Sequence, residues 1–294
     1  KGQDILEGLE ISQSQQPQYG LIAKYKMSEL FLELFSEEIP AGLQKNLREN
    51  LLEEFQKFFI EKSIKSKKSF SLSTPNRLII IFEGLDKEIK TKPKEIKGPK
   101  VGTSEQALEG FKRSNRIEKK NLFKKKTEKG EFYFFKTKSK ILKVHDMLTS
   151  QIPKLLENHQ WKKSMKWGEF DLKWGRPLKS ILSVFNKKII NFKYHHIISS
   201  NSTYVDSDYE EKKKIFTDFK SYYKFFKKQG VITDQNKRKE FITQEFSKIL
   251  SKKQLSTNEN LKLLDEVVDL VESPNILLCS FDKKFLEIPN EILI

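Results

Sequence analysis

The chain has 294 residues, of which 37 % are hydrophobic and 33 % charged, with a formal net charge of +16. That length holds one large domain or two ordinary ones, and 23 Phe with three Trp supply enough apolar bulk for a core. No apolar run approaches the ~18–20 residues of a membrane span, and residues 1–26 lack the apolar centre of a secretory signal. The single cysteine, Cys279, excludes an internal disulfide framework and a zinc site built on Cys pairs, so a soluble intracellular protein is the expectation.

Residues 1–26 carry three acids against three lysines and five Gln, four of them at 13, 15, 16 and 18, without a sustained period. They read as a disordered extension, with Met27 a plausible functional start. From Met27 the pattern is globular. Leu30, Leu32 and Leu34 alternate with Phe31 and Phe35, which predicts a strand with two apolar faces. Beyond Pro40, Leu43, Leu47, Leu51, Phe55 and Phe58 or Phe59 recur at helical spacing. Strands follow at Phe70–Ser73 and Arg77–Glu83, the second of them buried on both faces.

Residues 87–101 read as a connecting arm with Pro93, Gly98 and Pro99, followed by a short helix at Ser104–Ser114. A hairpin is expected around Glu128-Lys129-Gly130, with one of its aromatic pairs, Phe132/Phe134 or Tyr133/Phe135, exposed. The periodicity then predicts a helix over Val144–Asn158, with Pro153 a point of kinking. Trp161, Trp167 and Trp174 follow among Lys162, Lys163, Lys166, Lys173 and Arg176. Ser180–Phe185 and Ile189–His195 form a second expected hairpin. Helices are expected at Asp218–Lys228, Gln235–Ser251 and Glu259–Glu272, and a strand at Ile276–Phe281. The whole reads as α+β, with mixed sheets and packed helices, becoming mostly helical after about residue 210. The expected division is a 1–26 extension, an α+β region over 27–205 and a mainly helical region over 206–294 that ends like a fragment.

Catalytic chemistry is poorly represented. Cys279 lies in the apolar run Leu277-Leu278-Cys279-Ser280-Phe281 and reads as a core thiol. His195 and His196 would point to opposite faces of a strand, with His145 and His159 distant in sequence. Glu37-Glu38 could offer a carboxylate, although such a pair more often opens a loop or helix. Lys97-Gly98-Pro99-Lys100-Val101-Gly102 lacks the spacing of a phosphate-binding loop. The positive signal is basic and aromatic residues together, the combination that holds a phosphate backbone and stacks unpaired bases. The charge alone is a weak guide, because the 56 cations are 50 Lys and only six Arg, at 48, 77, 113, 116, 176 and 238. A solvated Lys surface and a polyanion-binding one both fit.

Several short motifs then fall into one order. Glu33-Leu34-Phe35-Ser36-Glu37-Glu38-Ile39-Pro40-Ala41, Thr74-Pro75-Asn76-Arg77-Leu78, Lys97-Gly98-Pro99 and Glu109-Gly110-Phe111-Lys112-Arg113 come first. Met165-Lys166-Trp167-Gly168, Arg176-Pro177, Ser200-Asn201-Ser202-Thr203, Val271-Glu272-Ser273-Pro274 and Ser280-Phe281-Asp282-Lys283-Lys284-Phe285-Leu286 follow. Together they resemble the N-terminal portion of the beta subunit of bacterial-type glycyl-tRNA synthetase over residues 27–294. The sequence departs from that pattern at Asn76 and Lys166, where the family has Arg, and at Tyr204-Val205-Asp206-Ser207, where it has a Gly-His-Arg-Phe run.

The resemblance implies an α+β arrangement similar to modules of the phenylalanyl-tRNA synthetase beta subunit, and a cytoplasmic α2β2 enzyme. In that enzyme the alpha subunit activates glycine with ATP and Mg2+ and the beta subunit binds tRNA(Gly). This chain is then expected to hold no active site, metal or cofactor of its own and to contact no membrane. Arg77, Lys97, Arg113, Lys163, Lys166 and Arg176 are the expected tRNA contacts. An assembly scaffold for the alpha dimer and a free-standing RNA binder are the competing expectations.

Overall fold

A computed structural model describes residues 28–161, 163–205, 212–257, 261–289 and 292. The expectations for residues 1–26, Met27, Lys162 and Asp206-Ser207 lie outside the described residues. In chain order, β1 (Glu29–Ser36), α1 (Ala41–Glu61), β2 (Lys68–Ser73) and β3 (Arg77–Glu83) open the fold. Next come β4 (Glu88–Lys90), β5 (Glu95–Lys100), α2 (Glu105–Asn115), β6 (Leu122–Thr127), β7 (Gly130–Lys136), β8 (Ile141–Lys143) and α3 (Val144–Asn158). Then follow β9 (Met165–Lys166), β10 (Lys173–Trp174), β11 (Leu178–Phe185), β12 (Lys188–Ile189), β13 (Lys193–Tyr194), β14 (Ile197–Ile198), β15 (Ser202–Tyr204) and β16 (Lys213–Ile215). Helices α4 (Phe219–Lys228), α5 (Gln235–Lys253) and α6 (Leu261–Leu270) complete the α+β fold.

A five-stranded antiparallel sheet, ordered β12-β11-β1-β3-β2, is the centre of the molecule. The alternation in β1 sorts its side chains as the sequence requires. Leu30, Leu32 and Leu34 enter a core with α1 and α3, where Leu47, Leu51, Phe55, Val144, Leu148, Ile152 and Leu156 pack beside them. Phe31 enters a second core on the opposite face, with Ile79, Ile81, Leu182, Phe216, Phe219, Tyr222 and Phe226. Burying each such side chain stabilises the fold by about 1.5–3 kcal/mol, so a sheet covered on both faces dominates the energetics. Helix α3 runs through Pro153 unbroken, because Ile152 and Leu156 anchor it in the core on either side of the lost hydrogen bond. Asp218 and Asp234 cap α4 and α5 by accepting backbone N–H groups of the first turn.

Four expectations are corrected. Residues 87–101 are not a plain arm: β4 pairs with β8 and β5 with β7, strands too short and too charged to show a period. In β7 neither aromatic pair is open, since Phe134 and Phe135 are both buried and Phe132 and Tyr133 are half-buried. The second hairpin turns at Asn186-Lys187, both with positive φ, and its far arm ends at Ile189; His195 and His196 instead form the turn between β13 and β14. Residues 276–281 form no strand, and Cys279 is exposed rather than in the core. An apolar run becomes a strand only where a sheet edge is present to accept its backbone groups.

Residues 88–143 form a distinct unit. Strands β4 and β8 make a two-stranded ribbon, extended where Thr91 and Lys140, and Lys94 and Thr137, exchange bonds at 2.8–2.9 Å. The ribbon joins the main body to a small module, the three-stranded sheet β5-β7-β6 with α2 on one face.

Candidate nucleic-acid interface

Five of the motif segments, far apart in sequence, meet at one end of β1, while Lys97-Gly98-Pro99 and Glu109-Gly110-Phe111-Lys112-Arg113 lie on β5 and α2. Ser36 N–H donates to Asn76 O at 2.9 Å, Glu37 N–H to Pro177 O at 3.0 Å, and Ile39 N–H to Pro75 O at 2.7 Å. Arg176 Nε donates to Glu38 O at 3.0 Å, and Thr74 hydrogen-bonds the Glu272 carboxylate. The loops after β1, between β2 and β3, and before β11 are therefore tied together by main-chain bonds. Glu37, Glu38 and Pro40 are exposed at this end, whereas Ile39, Thr74 and Asn76 are buried beneath them.

Beneath this surface lies a buried polar cluster. Arg77 Nη1 donates to Glu33 Oε1 at 2.8 Å and lies 3.4 Å from Thr203 Oγ1, while Nη2 donates to Tyr204 O at 2.9 Å. Its Nε stands 3.3 Å from Glu272, and the guanidinium lies between the Phe35 and Phe226 rings at 4.7 and 4.2 Å. Tyr222 donates its hydroxyl to Glu33. Burial by itself would lower the Arg77 pKa, but Tyr222, Glu272 and Glu33 outweigh it and raise the value. Burial, then Glu33, pushes the Tyr222 hydroxyl well above its ordinary range, so it remains a donor. A second buried arginine, Arg238, donates to Val268 O and Ile232 O at 2.6 Å and to Ser73 O at 3.0 Å, fastening α5 and α6 to the end of β2.

Above the cluster run two adjoining clefts that share Glu37 and Lys179. One, of ≈ 480 Å³, is walled by Phe35, Glu38, Pro40, Asn76 and Arg176. The other, of ≈ 570 Å³, is walled by Trp167, Phe170, Leu172, Pro177, His196 and Tyr204. Lys179 Nζ lies 3.5 Å from Glu37 Oε1 between them. The three tryptophans divide here. Trp174 is core, Trp161 packs on it at 4.7 Å, and Trp167 turns to the cleft while its indole N–H donates to Trp174 O at 3.0 Å.

The 88–143 unit is the second charged feature. It carries 18 Lys and Arg against 7 Glu, a net +11 of the chain's +16. All of these cations are exposed except Lys112, which is half-buried. On the sheet face away from α2, Lys97, Lys125 and Lys136 lie over Phe132, Phe134 and Phe123 at 3.5, 5.7 and 5.9 Å. Phe135 meets Phe111 of α2 on the other face. The ammonium groups themselves stand over the ring faces, Lys97 closest, and Lys125 and Lys136 also pair with Glu95.

Set against these surfaces, the expected contact residues separate into three groups. Lys97 and Arg113 are exposed on the basic module. Lys163 and Lys166 are exposed and Arg176 half-buried in the segment that holds the β9–β10 hairpin and the clefts. Arg77 is a correction. It has 0 % exposure and its guanidinium is spent on Glu33, Glu272 and Tyr204, so it cannot reach a phosphate in this fold. No group of three or more His, Cys, Asp or Glu among the described residues is arranged to hold a metal.

A family model described as glycyl-tRNA synthetase beta subunit matches residues 30–294, nearly the whole described chain. The chain belongs to that family. Curated relatives agree: the glycine–tRNA ligase beta subunit of Rickettsia akari (strain Hartford) is 35 % identical over 268 residues. Those of Rickettsia peacockii (strain Rustic) and Rickettsia conorii (strain ATCC VR-613 / Malish 7) are each 37 % identical over 268 residues. Each alignment covers 91 % of this chain and 40 % of the relative, so the chain spans well under half the length of the curated relatives it matches. Membership makes the convergence of the motifs a property of a synthetase subunit. Phe170 and Lys179 are marked by no period or motif in the sequence, and Trp167, His196 and Tyr204 were read there without a link between them, because no spacing joins the five.

Proposed function

We propose that this chain is the N-terminal part of a non-catalytic beta subunit of glycine–tRNA ligase, which holds tRNA(Gly) while the alpha subunit, with ATP and Mg2+, attaches glycine. The assembly is the cytoplasmic α2β2 form that the resemblance implies. The observation that carries the reading is the segregation of +11 onto the 88–143 unit, ribbon and module together, where 18 cations stand against 7 acids. Cations collected on one small unit bind a phosphate backbone by releasing its counterions; cations scattered for solubility would not be collected. Lys97 and Arg113 are the contacts on that module, and Lys163, Lys166 and Arg176 those beside the clefts. The role is positioning, which lowers a barrier by holding the reacting end in place rather than by chemistry.

The test is binding of tRNA(Gly) across a salt series. Alanine at Lys97 and Arg113, and separately at Lys163, Lys166 and Arg176, should weaken binding. Each set should also flatten the slope of log K against log salt by about 0.7–0.9 per phosphate contact removed. Unchanged affinity and slope in both sets would reject the reading. A second reading, an assembly scaffold, is favoured by Leu263, Val267, Leu270, Leu277, Leu278 and Phe281, large apolar side chains exposed from α6 onward. It predicts capture of the alpha subunit without measurable tRNA affinity.

A further inference from the structure

The cleft of ≈ 570 Å³ has a composition that tRNA backbone binding does not require. Phe170 and His196 lie in parallel, with ring centroids 3.6 Å apart and planes 10° apart, which is the spacing of stacked bases. Both are open to solvent, Phe170 at 49 % exposure. Burial, then His195, holds the His196 pKa below its ordinary value, which favours the uncharged ring. Trp167 and Tyr204 supply further ring walls, and Pro177, Leu172 and Leu178 an apolar floor. At the mouth, Glu37 and Lys179 place a carboxylate and an ammonium 3.5 Å apart. One accepts N–H groups and the other donates to carbonyl or ring nitrogen atoms, and a nucleobase edge carries such groups side by side.

The surroundings bear on the ligand's charge. Lys166 and Lys173 sit directly opposite each other in the β9–β10 hairpin, an arrangement of like charges that destabilises a strand pair. Asp171, at 2.7 Å from Lys166 Nζ, is the carboxylate that offsets it within the hairpin. A phosphate seated between the two lysines would do the same for both. Stacking surface, edge-reading pair and flanking cations are the parts from which single-stranded nucleic acid sites are assembled.

We infer that this cleft binds one unstacked nucleobase of a single-stranded RNA segment, stacked on the Phe170–His196 pair with its edge at Glu37 and Lys179 and its phosphate on Lys166 and Lys173. The inference rests on the RNA-binding reading above and adds to it a base-binding site that the basic module lacks.

Two RNA hairpins of identical stem, one blunt and one with a four-nucleotide single-stranded extension, are titrated against the full chain and against Phe170→Ala and His196→Ala. Both substituted side chains stand at the surface, and circular dichroism checks that each variant is folded. Wild type should bind the extended hairpin roughly tenfold more tightly than the blunt one. The two variants should lose that preference and keep the affinity for the blunt stem. Equal binding of the two hairpins by wild type, or a preference that both variants retain, overturns the base site while leaving the backbone-binding reading intact. Salt-insensitive or undetectable binding of both hairpins overturns the two together.

Discussion

Replacing Arg77 separates a structural from an RNA-binding role most sharply. Arg77→Met keeps the volume and the apolar stem but removes the cation. It deletes the 2.8 Å bond to Glu33, the 2.9 Å bond to Tyr204 O and the 3.3 Å pairing with Glu272, and it leaves the Glu33 carboxylate buried with Tyr222 as its remaining partner. Breaking a buried ion pair from one side costs about 3–5 kcal/mol, because the remaining charge has lost its compensation. Against a total stability of roughly 5–15 kcal/mol, that is a large share of what holds the chain folded. Arg77→Lys keeps the charge but gives up the planar fork that reaches Glu33 and Tyr204 O together, and should fall between the two. Urea unfolding followed by circular dichroism, with tRNA binding measured at a temperature where each variant is folded, reads both properties. The reasoning fails if Arg77→Met lies within about 1 kcal/mol of wild type, or if it abolishes tRNA binding without a change in stability.

Two further outcomes follow from the same physics. Burial raises the Glu29 pKa, with the Phe219 N–H at 2.8 Å opposing the shift. The folded state therefore holds the extra proton between the unfolded and the raised folded value, and stability falls as pH rises through that window. Glu29→Gln, which keeps an acceptor for Phe219, should flatten this dependence; urea midpoints at a series of pH values from acid to neutral measure it, and an unaltered profile contradicts it. Gly175 lies against Trp161 so closely that a Cβ there would collide with the indole. Gly175→Ala should thus cost about 1–3 kcal/mol by overpacking and shift the tryptophan fluorescence, and a variant as stable as wild type would show that Trp161 moves aside freely.

Local pattern was enough for most of the elements. The alternation in β1, the helical spacing in α1 and α3 and the apolar run of β3 each record which faces are buried, since burial is what selects those side chains. Where elements are short or charged, as in β4, β5 and the hairpins near His195, pairing rather than composition makes the strand, and no single segment carries that information. The run at 276–281 is the converse: it has the composition of a strand but no sheet edge to join. Family membership was legible for a different reason. Nine short motifs in one order are a one-dimensional signal, although the contacts among them are three-dimensional.

By itself, then, the sequence determined the α+β class, the helices, the buried central strands and the resemblance to a tRNA synthetase subunit, all of which depend on neighbours in the chain or on order along it. Tertiary structure decided what each charged or aromatic residue does. Arg77 and Lys97 look alike as basic residues beside apolar ones, yet one lies at 0 % exposure between Phe35 and Phe226 and the other rests on Phe132 in solvent. Phe170, Lys179 and His196 became one cleft because β11, β14 and the β9–β10 hairpin are brought to the same end of the sheet. The physical reason is that burial and electrostatic environment are set by residues distant in sequence, and only the folded chain brings those residues together.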